Sequence, residues 1–282
     1  MKFTKETADI YLPANGTSDA ALQSVTHLGI GAHQDDLEFM AFHGILQCFE
    51  KPGAGFCGVT CTDGAGSPRS GDYARYTDDD MRVIRRTEQQ TAAQVGRYNA
   101  MLQLDFSSKE IKGGINPGLV ADLTAIIGAS RPKVIYTHNL ADRHPTHVAV
   151  ARHVIHALRG LLPGYRPEAF HGCETWRDLD WMPQSRTVVL DVSEREHLAA
   201  SLSGVFDSQI AGGKRYDLAI LGRRRANATM FASHGVDEMT AAIYAMDLMP
   251  LLTDTTLEPA TYVGSIIEEF KREVIENLKF ET

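Results

Sequence analysis

The 282-residue sequence predicts an α/β fold, a mostly parallel sheet covered by helices on both faces. Three observations point there. Short apolar runs alternate with amphipathic stretches along the chain, the pattern of parallel strands joined by helical crossovers. The chain is long enough to bury a large core, and its composition, 43% hydrophobic and 23% charged, is that of a globular domain. Two clusters of histidine and aspartate follow directly on apolar runs, and open α/β sheets bind ligands beyond the carboxyl ends of their strands. Together these describe a Rossmann-like architecture.

The elements follow in order. "THLGIGA" (26–32) reads as a first buried strand, weakened by its two glycines. Residues 37–49 suit a helix, with Leu37, Met40, Ile45 and Phe49 apolar. "GFCGVTCT" (55–62) is a second strand, and the Gly- and Ser-rich stretch 63–77 a long loop. Asp78–Asp80 open a helix where its dipole favours acids, and Gly96 closes it. A strand near 98–104 and a helix from Pro117 to about Ser130 come next. "KVIYTH" (133–138) is a clear strand. Residues 144–162 form a helix with Pro145 in its first turn, where proline is tolerated. Strands near 169–176 and 186–192 follow. Ile266, Ile267, Phe270, Val274 and Leu278 make one face of a C-terminal helix near 265–279, expected to dock on the core of a single domain spanning 1–282.

Composition excludes some roles. Net charge is −8, with no basic patch or tail, which argues against a nucleic-acid or anionic-membrane binder. The opening residues hold no apolar core of a signal peptide, and no run is long enough to span a bilayer. Cys48, Cys57, Cys61 and Cys173 form no CxxC pair and are expected as free thiols in a cytoplasmic protein. Homo-oligomerisation is left open.

The chemistry sits in "AHQDD" (32–36) and "THNLADRHPTH" (137–147), each at a strand end. Neighbouring strands would bring together His33, Asp35, Asp36, Asp142, His144 and His147. The pairs His33/Asp36 and His144/His147 each have the i,i+3 spacing that puts two side chains on one side of a turn. Two histidines and a carboxylate suit a catalytic zinc with one position open for water. Such a metal lowers the pKa of bound water and polarises a carbonyl. A general base must then stand beside the ligands, and Asp35 adjoins Asp36. A lone His or Asp at a strand end is usually a cap, so the weight rests on two clusters meeting. His27, His43, His153, His156, His171 and His197 read as structural, and His138 and His234 are undecided.

These motifs resemble a known family. "AHQDD" is similar to the AHPDD motif of the PIG-L/LmbE-like N-acetylglucosamine de-N-acetylases, and "RHPTH" to their HPDH motif. "RRTEQQTAAQVG" (85–96) resembles the family's R-x-x-E helix, "CTDGAGS" (61–67) its strand-then-glycine loop, and "DSQ" (207–209) its Ser-Gln pair. The resemblance implies a zinc-dependent hydrolase that removes an acetyl group from a small-molecule amino-sugar conjugate by attack of a metal-bound water. It implies metal ligands His33, Asp36 and His147, and Asp35 as base. His144 would protonate the leaving amine or steady the oxyanion, and Arg85 would lie near substrate. Zn2+ is the expected cofactor, although Fe2+ or Co2+ would suit the same donors. Gln34 stands where the family has proline. Thr146 stands where it has an aspartate that can orient the adjacent histidine, and Asp142 could supply that carboxylate to His144, or contact substrate. The loop 63–77, with Arg69, Asp72, Tyr73 and Arg75, is expected at the substrate entrance.

Two other functions compete. "GIGAHQ" begins like the G-x-G-x-x-G of a nucleotide-binding domain, but Gln34 takes the third position and His33 sits where backbone should meet pyrophosphate. A non-catalytic sugar-binding relative has no need of a base beside the ligands. Neither G-x-S-x-G nor H-E-x-x-H occurs.

Overall fold

The structure, a computed structural model, describes residues 1–279. The chain begins with β1 (Asp9–Tyr11), α1 (Ser18–Gln23), β2 (His27–Gly31), α2 (Asp36–Met40), α3 (Phe42–Cys48) and β3 (Phe56–Thr62). It continues through α4 (Asp78–Val95), β4 (Ala100–Phe106), α5 (Ser108–Lys112), α6 (Pro117–Ser130), β5 (Val134–His138), α7 (Pro145–Leu161) and β6 (Ala169–Cys173). The last part holds β7 (Thr187–Asp191), α8 (Glu196–Gly204), α9 (Asp207–Ile210), α10 (Tyr216–Met230), β8 (Ala242–Asp247), α11 (Pro250–Thr253) and α12 (Pro259–Asn277).

The eight strands form one sheet in the order β1-β4-β3-β2-β5-β6-β8-β7. The central five, β4 to β6, are parallel, and the pairings of β1, β7 and β8 are antiparallel. The chain builds outward from β2 to β3 and β4, then returns to place β5 on the other side of β2. The ends of β2 and β5 therefore flank the point where the crossovers change direction. One apolar cluster lies against each face of the sheet. Ile30, Val59, Ile135 and Val154 belong to one; Leu37, Phe42, Tyr136 and Phe206 belong to the other.

The two glycines that weaken the first strand signal have a packing role. Gly29 and Gly58 stand opposite each other in register on β2 and β3. A Cβ at Gly58 would lie 2.8 Å from Leu37, and one at Gly29 would lie 3.1 Å from the same side chain. The hollow lets α2 lie close on the sheet, so Asp36 starts immediately above the end of β2.

The mostly parallel sheet matches the sequence reading. Details differ. The helix expected over 37–49 breaks at Ala41 into α2 and α3. β1 and β8 carry no turn or alternation signal strong enough to mark them, and they add at antiparallel positions. The C-terminal helix docks along only the first part of its expected face. Tyr262 and Ile266 are buried, whereas Ile267, Phe270, Val274 and Leu278 are exposed. No helix among the described residues is long and apolar enough to cross a membrane.

Candidate active site

β2 and β5 are adjacent and parallel, so the segments that follow them leave the same edge of the sheet. His33 lies in the turn after β2 and Asp36 opens α2. Across from them, His144 precedes Pro145, the first residue of α7, and His147 lies in the first turn of that helix. Nε2 of His147 is 3.2 Å from Nδ1 of His33 and 3.4 Å from Oδ1 of Asp36. Nδ1 of His33 is 3.3 Å from Oδ2 of Asp36. The backbone N–H groups of Ala32 and His33 donate to that same Oδ2, at 3.1 and 2.7 Å, which fixes the carboxylate.

This donor set fits a divalent metal. Bonds near 2.1 Å in a tetrahedron place neighbouring donors about 3.4 Å apart, the spacing found here. Burial lowers the pKa of His147 to about 3, so its ring is neutral and offers a lone pair. Burial pushes the Asp36 carboxyl up, but the nearby His147 and His138 outweigh it and hold its pKa well below the usual range. The neutral ring of His147, the ring of His33 and the Asp36 carboxylate turn one donor atom each toward a common point, where a single cation would be held by all three.

Asp35 lies beside this group, buried, with Oδ2 3.6 Å from Nη2 of Arg85. Burial raises its pKa well above the usual carboxylate range against the pull of Arg85, and Asp36, Glu38 and Glu88 raise it further. Asp35 is thus a carboxylate whose affinity for a proton is raised, as a group that takes and returns one requires. The ring of His144 is half-buried, its centroid 4.6 Å from that of His147 and 4.9 Å from that of His33. Burial lowers its pKa, and its Nδ1 has no partner.

The expected partner of Asp142 needs correction, and the place of Arg85 gains detail. Asp142 does not back the ring of His144. Its Oδ1 accepts the His144 backbone N–H at 2.8 Å and lies 3.4 Å from Nδ1 of His147, while Oδ2 accepts the N–H groups of Trp176 and Arg177. The carboxylate is enclosed and does not border the cavity over the site. Arg85 borders the cavity, but Nη2 donates to the Gln34 carbonyl at 2.5 Å and Nη1 to the Gly64 carbonyl and Ser67 Oγ. Its guanidinium holds the chain's own loops.

A cavity of about 720 Å³ opens over the centre. His33, Asp35, Asp36 and His144 form its floor, and Phe39, Trp176 and Tyr216 form an aromatic side. Residues 63–68 of the long loop border it, whereas Arg69, Asp72, Tyr73 and Arg75 do not. Arg69 ties the loop to Ala65, Tyr76 and Asp78, and Tyr73 donates to Asp207 at 2.6 Å. A second cavity, about 480 Å³, is bordered by Ser193, Arg224 and Thr240 and contains none of the centre's residues.

Sequence reasoning left His138 undecided. The structure puts it at the centre, stacked on His147 at 3.8 Å, with Nε2 3.3 Å from Asp36 Oδ2. Its place as the last residue of β5 was the available signal. Trp176 and Tyr216 lie in regions without periodicity and had none. The R-x-x-E and Ser-Gln matches, far apart in sequence, meet: Glu88 accepts the Ser208 N–H and hydroxyl at 2.7 and 2.6 Å. A nucleotide-binding role is disfavoured, because His33 and two carboxylates occupy the turn where a pyrophosphate would lie.

Residues 28–158 match the family model described as PIG-L: GlcNAc-PI de-N-acetylase. The resemblance carried by "AHQDD" and "RHPTH" therefore holds over the segment that contains every residue of the centre. Solved structures share the fold. An N,N'-diacetylchitobiose deacetylase from Pyrococcus horikoshii is 14% identical with TM-score 0.61, covering 81% of this chain and 85% of that one. A conserved protein from Thermus thermophilus is 18% identical with TM-score 0.60, covering 82% and 98%. GalB, the 4-carboxy-2-hydroxymuconate hydratase from Pseudomonas putida, is 17% identical with TM-score 0.59, covering 79% and 96%. No curated protein matches the sequence. One fold thus carries at least two named chemistries, and the site must decide between them.

Proposed function

From the PIG-L match over residues 28–158, we propose that this chain is a metal-dependent hydrolase that removes an N-acetyl group from an N-acetylglucosamine-type conjugate. The observation that carries this reading is the convergence of His33, Asp36 and His147 at 3.2–3.4 Å with Asp35 beside them. His33, Asp36 and His147 would hold the ion. Zinc is the ion proposed, and Fe2+ or Co2+ would suit the same two nitrogens and one oxygen.

When bound, the metal supplies Lewis-acid polarisation of the amide carbonyl and lowers the pKa of a water. The chain's own residues do the rest. Asp35 accepts the proton of the attacking water as its oxygen bonds to the acyl carbon. His144, kept neutral by burial, donates a hydrogen bond to the developing oxyanion. Asp35, whose raised pKa lets it hold that proton, returns it to the amide nitrogen as the C–N bond breaks. The products are acetate and a free amino sugar. The aromatic side of Phe39, Trp176 and Tyr216 is suited to the apolar face of a sugar ring.

The test is an assay of acetate and primary amine released from a panel of N-acetylglucosamine conjugates, by protein stripped with chelator and by protein reloaded with each metal. Metal-restored release of equal amounts of both supports the reading. Failure to release acetate from any member under any metal would reject it.

A further inference from the structure

The peptide bond between Gln34 and Asp35 is gripped at both ends by one face of α4. Its carbonyl accepts Arg85 Nη2 at 2.5 Å, and its N–H donates to Gln89 Oε1 at 3.2 Å. Arg85 and Gln89 are four residues apart, so they lie on the same side of the helix. Asp35 itself has φ +92° and ψ −31°, a left-handed conformation in which any residue with a Cβ is strained. Its side chain makes no capping bond to α2 that would hold it there.

Gln89 is fixed from its other side. Its Nε2 donates to Glu38 Oε1 at 2.8 Å, and Tyr98 OH donates to the same oxygen at 2.6 Å. Gln89, Glu38 and Tyr98 are all buried. A carboxylate oxygen that already takes a hydroxyl proton requires the amide nitrogen of Gln89 to face it. The amide oxygen must therefore face Asp35.

We infer that Gln89 is a positioning residue for Asp35. Oriented by Glu38, its amide oxygen holds the strained backbone of Asp35 so that the carboxylate reaches the cavity. The inference rests on the reading of Asp35 as the general base. It concerns a residue that touches neither substrate nor metal donors, and it explains why the strain at Asp35 is retained.

The test uses the full-length, metal-loaded protein with Gln89→Met, which keeps length and removes the acceptor, and Gln89→Glu, which keeps an acceptor oxygen. A misplacement of about 1 Å in a catalytic group lowers rates by about 10²-fold. Gln89→Met is expected to lower kcat about 10- to 100-fold with KM within about twofold and one metal per chain retained. Hydrogen exchange at the Asp35 amide, measured residue by residue, should accelerate in step. Gln89→Glu should recover part of kcat. The inference is overturned if Gln89→Met keeps kcat within about threefold, or if exchange at Asp35 is unchanged. Equal losses of kcat, metal and Tm in both variants would also overturn it, leaving Gln89 a core residue only. Asp35→Asn assayed beside them separates the two readings. If it keeps full kcat, the base assignment fails; if it is inactive while Gln89→Met is not, only the positioning role fails.

Discussion

Asp142 faces His147 and not His144: its Oδ1 lies 3.4 Å from Nδ1 of His147, and both side chains are sealed from solvent. The separation is long for a hydrogen bond, and Nδ1 has no other partner. A carboxylate behind a ligating imidazole fixes the ring and raises its basicity, typically by about 10- to 100-fold in metal affinity. Asp142→Asn should therefore weaken metal binding by about that factor in a chelator competition. At saturating metal, kcat should recover to within a few-fold of wild type. If affinity is unchanged and KM rises instead, Asp142 serves the substrate and the ring-backing role is wrong.

Removal of a ligand and removal of the base should separate cleanly. His33→Ala and His147→Ala are expected to lose bound metal, measured by elemental analysis of the purified protein. Asp35→Asn should retain one ion per chain and lose about 10²- to 10⁴-fold in kcat. Stoichiometric metal in both histidine variants would eliminate the proposed ligand set.

The sequence carries part of this arrangement and not the rest. His33, Asp36, His144 and His147 were legible because each stands at the end of an apolar run, and parallel strands put such ends on one edge. The direction of the Asp142 side chain was not legible, since two residues of spacing cannot say which of two histidines a carboxylate turns to. Gln34 stands out in the sequence only as a departure from the family's proline. It is buried, and its Nε2 donates to the Thr62 carbonyl and to Gln103 Oε1 at 3.2 and 3.1 Å, tying the turn to β3 and β4. Such long-range amide pairs leave no periodic trace. β8 is not legible because it carries no turn or alternation signal, although it pairs with its sequence neighbour β7 as well as with β6.

The aromatic side of the cavity gives a binding prediction. The ring of Trp176 lies 6.1 Å from that of His144 and 5.9 Å from that of Tyr216, and 41% of the residue is exposed. Loss of a stacking face of this kind is worth about 1.4 kcal/mol, a factor of about ten. Trp176→Ala should raise KM for an N-acetylglucosamine conjugate about tenfold, and Trp176→Phe should raise it less. A fall in kcat at constant KM would place Trp176 in the chemistry and not in binding.

The last prediction concerns stability and a group of histidines remote from the centre. His27, at the start of β2, His43 of α3 and His171 of β6 surround Tyr136, whose hydroxyl lies 2.8 Å from His43 Nδ1. Burial lowers the pKa of His27 and of His43 to about 4 and lowers that of His171. Lys51, the His171 ring and Lys133 add to the effect on His27, and Asp191 and Asp247 only partly oppose it for His43 and His171. A depressed histidine means that the unfolded chain binds its proton more tightly than the folded one. Above pH about 6.5 both states are neutral and the contribution is fully present. As pH falls from there towards 4, the unfolded state gains protons first, and each unit of depression removes about 1.4 kcal/mol at most, less for the partly exposed rings. Metal release at low pH would act in the same direction, so the comparison belongs on chelator-stripped protein. His43→Gln should lower Tm at pH 8, where it loses the contact with Tyr136. The gap to wild type should then narrow as pH falls from 6.5 to 4.5, because the variant has one fewer histidine to charge on unfolding. A gap that stays constant over that interval would show that His43 titrates alike in both states, and that the acid sensitivity of this fold arises elsewhere.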